Sequence, residues 1–175
     1  MKKTARVIVT YKCNRSCPGC CNTHGNTVKK IEDIRELLGY EEIILTGGEP
    51  MLLVGKLMEF VSGLKARGYN GKIYLYTAYW KDNRFNHEII KMVNGITFTI
   101  HAEVNDSDII ALRTLSRQNR LADPKFSSRL IIDSRVYDRY DLSNIDLTNW
   151  DVIRKLQWKD YCPPAPNEDL VEFLL

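Results

Sequence analysis

The chain has 175 residues, of which 25 are Lys or Arg, 22 are Asp or Glu and 44% are apolar, as expected of one globular domain. A formal net charge of +3 is too small to indicate a nucleic-acid partner. The sequence has no run of about 18 or more consecutive apolar residues, which argues against a transmembrane segment and a membrane partner.

Six apolar, β-branched runs along the chain predict β-strands. These runs are Arg6–Thr10, Glu42–Thr46, Lys72–Thr77, Ile96–Ile100, Ser128–Ile132 and Val152–Leu156. Their apolar character on both faces is typical of a parallel sheet covered by helices. Successive runs lie roughly 30 residues apart, which is the length of one strand–helix–strand unit.

The intervals between these runs carry helical patterns. Four helices are predicted, over residues 28–37, 53–64, 86–93 and 107–115. Gly39 and Gly68 are expected to end the first two helices, and Asn86 and Ser107 to cap the last two. In the last helix we expect Leu112 and Leu115 to point inward. Residues 136–149 are polar and weakly patterned, which predicts mostly loop.

Strands that alternate with helices place the chain in the α/β class, with a mostly parallel six-stranded sheet. Six strands are too few for a complete eight-stranded barrel, and the pattern alone does not separate a partial barrel from a doubly wound sheet. We expect residues 1–158 to form the core domain. Residues 159–175 are expected to form a tail that packs on or near the core, against the alternatives of docking at its bottom or remaining disordered.

The cysteines are the unusual feature of the sequence. There are five, and four of them lie close together: Cys13, Cys17, Cys20 and Cys21. The apolar stretch after Met1 is too short for a secretion signal, so we expect a cytoplasmic protein in which cysteines more often bind metal than form disulfides. The first three have the spacing C-x3-C-x2-C. Three thiolate ligands on a four-iron cluster leave one iron open to an exogenous chelator.

A second motif, Thr46-Gly47-Gly48-Glu49-Pro50, follows the second predicted strand. Two glycines allow a backbone to approach a ligand closely, and Pro50 suits the first turn of a helix. Glu49 then lies at the carboxyl end of a strand, beside the cysteine loop if the first two strands are neighbours.

Together, C-x3-C-x2-C after the first strand and Gly-Gly-Glu-Pro after the second resemble the radical S-adenosylmethionine superfamily. The resemblance implies a partial (βα)6 barrel, and a [4Fe-4S] cluster bound by Cys13, Cys17 and Cys20. It implies that S-adenosylmethionine chelates the fourth iron, and that Gly47, Gly48 and Glu49 contact its amino group. The implied reaction is reductive cleavage of S-adenosylmethionine to a 5′-deoxyadenosyl radical that abstracts hydrogen from a substrate. The implied electron donor is a protein such as flavodoxin or ferredoxin.

One position departs from the family pattern. The family usually has an aromatic residue before the third cysteine, where this sequence has Gly19, which can still make a backbone contact to adenine. The form Cys-Pro-Gly-Cys-x-Asn also resembles the small activating proteins of anaerobic ribonucleotide reductase. A glycyl-radical activating protein is therefore the alternative enzyme, and the substrate is either a small molecule or a loop of a partner protein.

Other candidate site residues follow later strands. His101 and Glu103 follow the fourth strand, where the family often places polar groups for the cofactor's ribose or the substrate. Thr77 after the third strand, and Asp133 and Arg135 after the fifth, have the same positional argument. We therefore take His101, Glu103 and Arg135 as candidate catalytic residues, and Thr77, His101 and Glu103 as further candidate cofactor contacts.

A different class of protein remains as an alternative. The first three cysteines, with Cys21 or His24, could bind structural zinc in a non-catalytic binding module. That module would use three arginines on an acidic or phosphate partner: Arg113, Arg117 and Arg120. Zinc gives no reason for the Gly-Gly-Glu-Pro motif, so the sequence favours iron–sulfur. Cys21 and Cys162 are expected not to bind the metal.

Overall fold

The computed structural model describes residues 3–17, 20, 28–155 and 163–175. These residues form one sheet of eight strands, together with three α-helices and several short 3-10 helices. The strands are β1 (Thr4–Thr10), β2 (Lys29–Lys30), β3 (Glu42–Gly47), β4 (Lys72–Thr77), β5 (Gly95–Ile100), β6 (Ser127–Asp133), β7 (Asp151–Lys155) and β8 (Glu168–Glu172). The α-helices are α1 (Val54–Ala66), α2 (Arg84–Met92) and α3 (Asp106–Ser116).

The strands lie in the order β2-β8-β1-β3-β4-β5-β6-β7, and all neighbouring pairs are parallel. The α/β prediction is therefore confirmed, and the six predicted strands are β1 and β3 to β7. The predicted number of strands is wrong, because β2 and β8 extend the sheet beyond β1. The sheet is open, with β2 and β7 at its edges, and this is compatible with a partial barrel.

The two additional strands have weak sequence signals. β2 contains only two residues, Lys29 and Lys30, and both are exposed. β8 reads Glu-Asp-Leu-Val-Glu, in which three of five residues are acidic. Neither segment shows the apolar alternation or the continuous apolar run that indicates a strand.

The strands and helices enclose one apolar core. The strand side chains that have no exposed surface, among them Val7, Leu45 and Phe98, lie on one face of the sheet. The expectation that both faces are covered is met only in part, because residues of the other face such as Ile44 and Tyr74 are half-buried. Helix α1 buries its predicted stripe, which includes Leu57 and Leu64. No α-helix in the described part of the chain is both long enough and apolar enough to cross a bilayer.

The first and third of the four predicted helices need correction. Residues 28–37 form β2 and then a 3-10 helix, Ile34–Leu37, in place of an α-helix. The apolar residues of this segment recur at every third position, which matches the three-residue period of a 3-10 helix better than the α-helical period of 3.6. Helix α2 is capped by Asn83, whose side chain accepts a hydrogen bond from the Asn86 amide, and not by Asn86 itself.

Helices α1 and α3 lie where they were predicted, but the predicted cap of α3 is wrong. Helix α1 ends before Gly68, which adopts a positive φ of 86°. Helix α3 is capped by Asn105, two residues before the predicted Ser107, and Asp108 completes a capping box. Leu112 and Leu115 are fully buried, as predicted. The predicted loop after β6 is mostly irregular, as expected.

Strand β8 is bound to β1 by backbone pairing and by polar side chains. Val171 lies opposite Val7 of β1 and Lys29 of β2. Arg6 donates two hydrogen bonds of 2.7 Å to the carboxylate of Glu168. Residues 168–172 are therefore part of the sheet, whereas the expected domain boundary at residue 158 lies outside the described residues.

Because Val171 is 1% exposed between two strands, we expect Val171→Ala to lower the free energy of unfolding by about 2 kcal/mol, through loss of buried methyl groups and the cavity left behind. Leu174 is 54% exposed in the same segment, so Leu174→Ala is the matched control and should change stability by less than about 0.5 kcal/mol. Urea denaturation measures both. Equal effects of the two substitutions would show that β8 does not unfold together with the core.

Candidate metal and cofactor site

The candidate site residues lie at one edge of the sheet. All strands are parallel, so their carboxyl ends meet at the same edge. The cysteine loop follows β1, Glu49 follows β3, and His101 follows β5. Thr77 is the last residue of β4 and Asp133 is the last residue of β6. The topology thus brings together motifs that are far apart in the sequence.

The Gly-Gly-Glu-Pro turn packs directly on the segment that leads into the cysteine loop. The amide of Gly48 donates to the Thr10 carbonyl at 2.7 Å, and the amide of Glu49 donates to the Lys12 carbonyl at 2.8 Å. A Cβ atom on Gly48 would lie 2.2 Å from the Lys12 carbonyl oxygen. Gly47 has a φ of 131°, and a Cβ there would lie 2.3 Å from the Thr10 carbonyl oxygen. Both glycines are therefore needed for contact between two backbones, a role that the sequence did not indicate.

Glu49 is a buried carboxylate that binds neighbouring parts of the chain. It is 2% exposed, and it accepts hydrogen bonds from the Met51 amide at 3.0 Å, the Ala78 amide at 2.9 Å and the Thr77 hydroxyl at 2.5 Å. Burial raises the pKa of Glu49, and these hydrogen bonds and the charge of Arg15 oppose that change. Thr77, predicted as a cofactor contact, holds Glu49 in this structure.

Cys13, Cys17 and Cys20 are free thiols; Cys13 is exposed and the other two are half-buried. Burial raises the pKa of Cys17 to about 11, and negative charge at Glu103, Cys13 and Cys20 contributes further. Several anionic sulfurs would repel one another here, and a bound metal supplies the positive charge that holds them as thiolates. The donor set therefore fits a thiolate-bound metal centre such as an iron–sulfur cluster.

His101 and Glu103 lie beside Cys17. A ring nitrogen of His101, a carboxylate oxygen of Glu103 and the sulfur of Cys17 all lie within 4.8 Å of one another. Burial lowers the pKa of His101, and the positive charge of Arg15 lowers it further. The imidazole of His101 and the carboxyl group of Glu103 thus lie next to the cysteine loop.

Arg135, the third candidate catalytic residue, is bound by its neighbour. Its side chain donates hydrogen bonds of 2.9 and 2.7 Å to Asp133, which is 1% exposed. Asp133 raises the pKa of Arg135 through these hydrogen bonds and its charge. The structure therefore places Arg135 at the same edge of the sheet, with its guanidinium engaged by Asp133.

Arg15 is the site residue that the sequence analysis missed. It lies within the cysteine loop, yet its side chain is only 12% exposed. Its guanidinium forms an ion pair with Asp108 of α3 and donates a 2.8 Å hydrogen bond to the Ala78 carbonyl. A charged residue in a loop is usually solvated, so its sequence position gave no sign of this burial. The partner is 93 residues away in the chain, beyond any local pattern.

Four residues named in the sequence analysis lie outside the described residues: Gly19, Cys21, His24 and Cys162. The described residues of the zinc alternative include its three arginines. Two of the three arginines of the proposed basic surface contact other parts of the chain: Arg113 binds Asn144 at 3.2 Å, and Arg120 pairs with Asp123. These two guanidinium groups are thus already engaged within the chain.

Comparisons with known proteins agree with the geometry. A family model described as a 4Fe-4S single cluster domain matches residues 4–120. A protein from Methanocaldococcus jannaschii that carries the provisional name glycyl-radical enzyme activating enzyme is 34% identical over 79 residues. That alignment covers 41% of this chain and 33% of the relative, so the chain matches about a third of the relative's length. The family match includes both the cysteine loop and the Gly-Gly-Glu-Pro turn, and the chain belongs to the 4Fe-4S single cluster domain family, as a member of the radical S-adenosylmethionine superfamily.

Proposed function

We propose that the chain is an enzyme that binds a [4Fe-4S] cluster through Cys13, Cys17 and Cys20 and cleaves S-adenosylmethionine reductively. The observation that carries this proposal is the pair of backbone hydrogen bonds that joins the Gly-Gly-Glu-Pro turn to the start of the cysteine loop. When bound, the cluster would supply one electron to the sulfonium of S-adenosylmethionine. The chain's own part is to hold the cofactor beside the cluster and to exclude water.

In this proposal the turn Gly47–Glu49 binds the methionine part of the cofactor through its backbone. The hydrogen bonds of the Glu49 carboxylate are made with Met51, Thr77 and Ala78, so Glu49 supports the turn. It also places negative charge near the site for a cationic amino group. Gly19 is assigned to the adenine by the family pattern alone.

We assign His101 and Glu103 to the cofactor's sugar or to the substrate, because both lie beside Cys17. Strands β1 and β3 to β7 would form the partial (βα)6 barrel of the superfamily, with β2 and β8 added on the β1 side. Arg135 is the weaker candidate for catalysis, since Asp133 binds its guanidinium.

We further propose that the substrate is the backbone of a partner protein, as for an activating enzyme of glycyl-radical proteins. The name of the Methanocaldococcus relative supports this proposal, together with the Cys-Pro-Gly-Cys-x-Asn form of the motif. The electron would come from a flavodoxin or ferredoxin. A small-molecule substrate is the competing possibility.

Anaerobic reconstitution with iron and sulfide tests the activity. We expect a brown protein with about four irons per chain and an absorbance band at about 400 nm. With dithionite and S-adenosylmethionine it should form 5′-deoxyadenosine and methionine. A colourless protein with one zinc would reject the enzyme. A glycyl-radical signal in electron paramagnetic resonance, on addition of a glycyl-radical protein from the same genome, would identify the activating enzyme.

Substitution of the cysteines tests the ligand set. Replacing Cys13, Cys17 or Cys20 with Ala should reduce iron from about four per chain to less than about one, because the cluster then lacks a thiolate ligand. Cys21→Ala and Cys162→Ala are the controls and should retain the wild-type iron content. Loss of iron in Cys21→Ala would show that the ligands have been assigned wrongly.

Gly48→Ala tests the contact between the two motifs. A methyl group there would meet the Lys12 carbonyl at 2.2 Å, so the cysteine loop must move, and we expect both iron content and affinity for S-adenosylmethionine to fall at least severalfold. Gly55→Ala is the control, because a Cβ on this glycine of α1 meets nothing within 4 Å. Iron analysis and a titration with S-adenosylmethionine measure the two properties, and a Gly48→Ala protein that behaves like the control would contradict the assignment.

A further inference from the structure

The side chain of Arg15 is largely buried, whereas the residues on either side of it in the sequence are exposed. Arg15 lies between Cys13 and Cys17, and the adjacent Asn14 and Ser16 are exposed, whereas the Arg15 side chain is 12% exposed. Removing a guanidinium from water is costly unless the charge is paired and hydrogen-bonded. Residues 13–17 therefore adopt a conformation that directs the Arg15 side chain inward, toward its partners.

The first partner is Asp108, at the start of α3. Both terminal nitrogens of the guanidinium donate to the Asp108 carboxylate, one of them at 3.2 Å. The Asp108 side chain is also 12% exposed, and it accepts a 3.0 Å hydrogen bond from the Asn105 amide within the capping box. A two-point contact of this kind fixes orientation as well as distance. The cysteine loop is thereby attached to a capped helix end.

The second partner is the backbone of Ala78, the residue after β4. Its carbonyl accepts the 2.8 Å hydrogen bond from Arg15, and its amide donates the 2.9 Å hydrogen bond to Glu49. A single residue, Ala78, thus links Arg15 to Glu49 of the Gly-Gly-Glu-Pro motif. Through Arg15, the segments that follow β1, β3, β4 and β5 are joined in one hydrogen-bonded network.

One nitrogen atom of the guanidinium makes no hydrogen bond to the described part of the chain. In the described part of the chain the Nε atom of Arg15 is buried and has no hydrogen-bond partner. A buried donor without an acceptor is destabilising, so this position favours the arrival of an acceptor, above all an anionic one. Cys17 and Glu49 lie within the electrostatic range of the same guanidinium.

We propose that Arg15 is a positioning residue for the metal site: Asp108 and Ala78 hold its guanidinium, which fixes the cysteine loop and offers positive charge and a free N–H to the anionic, thiolate-bound cluster. This inference rests on the proposed function, because it requires a cluster at Cys13, Cys17 and Cys20. It assigns two separable effects to Arg15. The two-point contact with Asp108 slows loss of the cluster. The positive charge of Arg15 makes the cluster easier to reduce.

The test uses the full chain, reconstituted anaerobically, with two readouts besides activity. The first is the half-life of the cluster in excess chelator, followed by the loss of absorbance at about 400 nm. The second is the midpoint potential of the cluster from a redox titration. We expect Arg15→Gln to shorten the half-life by roughly tenfold, the factor that corresponds to a lost hydrogen bond to a charged group, and to lower the potential. Arg15→Lys keeps the positive charge but cannot make the two-point contact with Asp108. This variant should therefore lose the cluster quickly, while the midpoint potential of its cluster stays near that of the wild type.

A double substitution and a matched control complete the test. Asp108→Asn should shorten the half-life, and adding it to Arg15→Gln should shorten it no further, because both remove the same contact. Asn105→Ala removes the side-chain cap of α3 but leaves the Arg15–Asp108 pair, so it should lower the melting temperature and keep the wild-type half-life. If Arg15→Gln fails to fold without metal, the near-isosteric Asp108→Asn carries the same comparison.

The outcomes separate this inference from the proposed function. A wild-type chain that binds no iron rejects both. A wild-type chain that binds iron, with an Arg15→Gln variant of equal half-life and equal potential, rejects the role of Arg15 alone. Equal loss of the cluster in Asn105→Ala and Arg15→Gln also rejects that role, since the effect would then follow from general destabilisation of α3.

Discussion

Two backbone hydrogen bonds hold the candidate site together, from the amides of Gly48 and Glu49 to the carbonyls of Thr10 and Lys12. They bring the turn after β3 against the start of the cysteine loop after β1, so the two motifs share one rigid surface. The contact is possible only because residues 47 and 48 have no Cβ atom, as the distances of 2.3 and 2.2 Å to the facing carbonyl oxygens show. The glycines thus act first on the protein's own backbone. Any contact with a cofactor depends on that arrangement.

Around this contact the chain buries several charges close together. Glu49 and Asp108 are both buried, and Arg15 interacts with Asp108 and with the Ala78 carbonyl. Such an arrangement is expensive to form in a low-dielectric interior, and a pair of apolar residues would often stabilise a fold as well or better. Its presence at the carboxyl edge of the sheet is therefore better explained by the requirements of an anionic metal centre than by stability. Burial likewise raises the pKa of the Cys17 thiol, because a low-dielectric environment disfavours the charged thiolate.

The sequence predicted those features that depend on local pattern. The six apolar runs correspond to β1 and β3 to β7 because these strands are rich in apolar and β-branched residues, and C-x3-C-x2-C and Gly-Gly-Glu-Pro are recognisable without any structure. β8 was missed because its acidic residues are stabilised by distant partners: Glu168 by Arg6, and Asp169 by Tyr40 at 2.6 Å. Arg15 was missed for the same reason, since its burial depends on Asp108. Long-range pairing of charges leaves no periodic signal in a single sequence.

The extra strands change the environment of the cysteine loop. With six strands, β1 would be an edge strand, and edge strands have one row of backbone groups without strand partners. In this chain β8 pairs along β1, and the backbone bonding continues from the amides of Phe173 to Ile8 and of Leu175 to Val9. The Tyr11 hydroxyl then donates to Glu172 at 2.5 Å, two residues before Cys13. The loop therefore starts from an interior strand that β3 holds as far as Thr10 and the segment after β8 holds as far as Val9. Rigidity at this point reduces the conformational entropy that three cysteines must lose to bind one cluster.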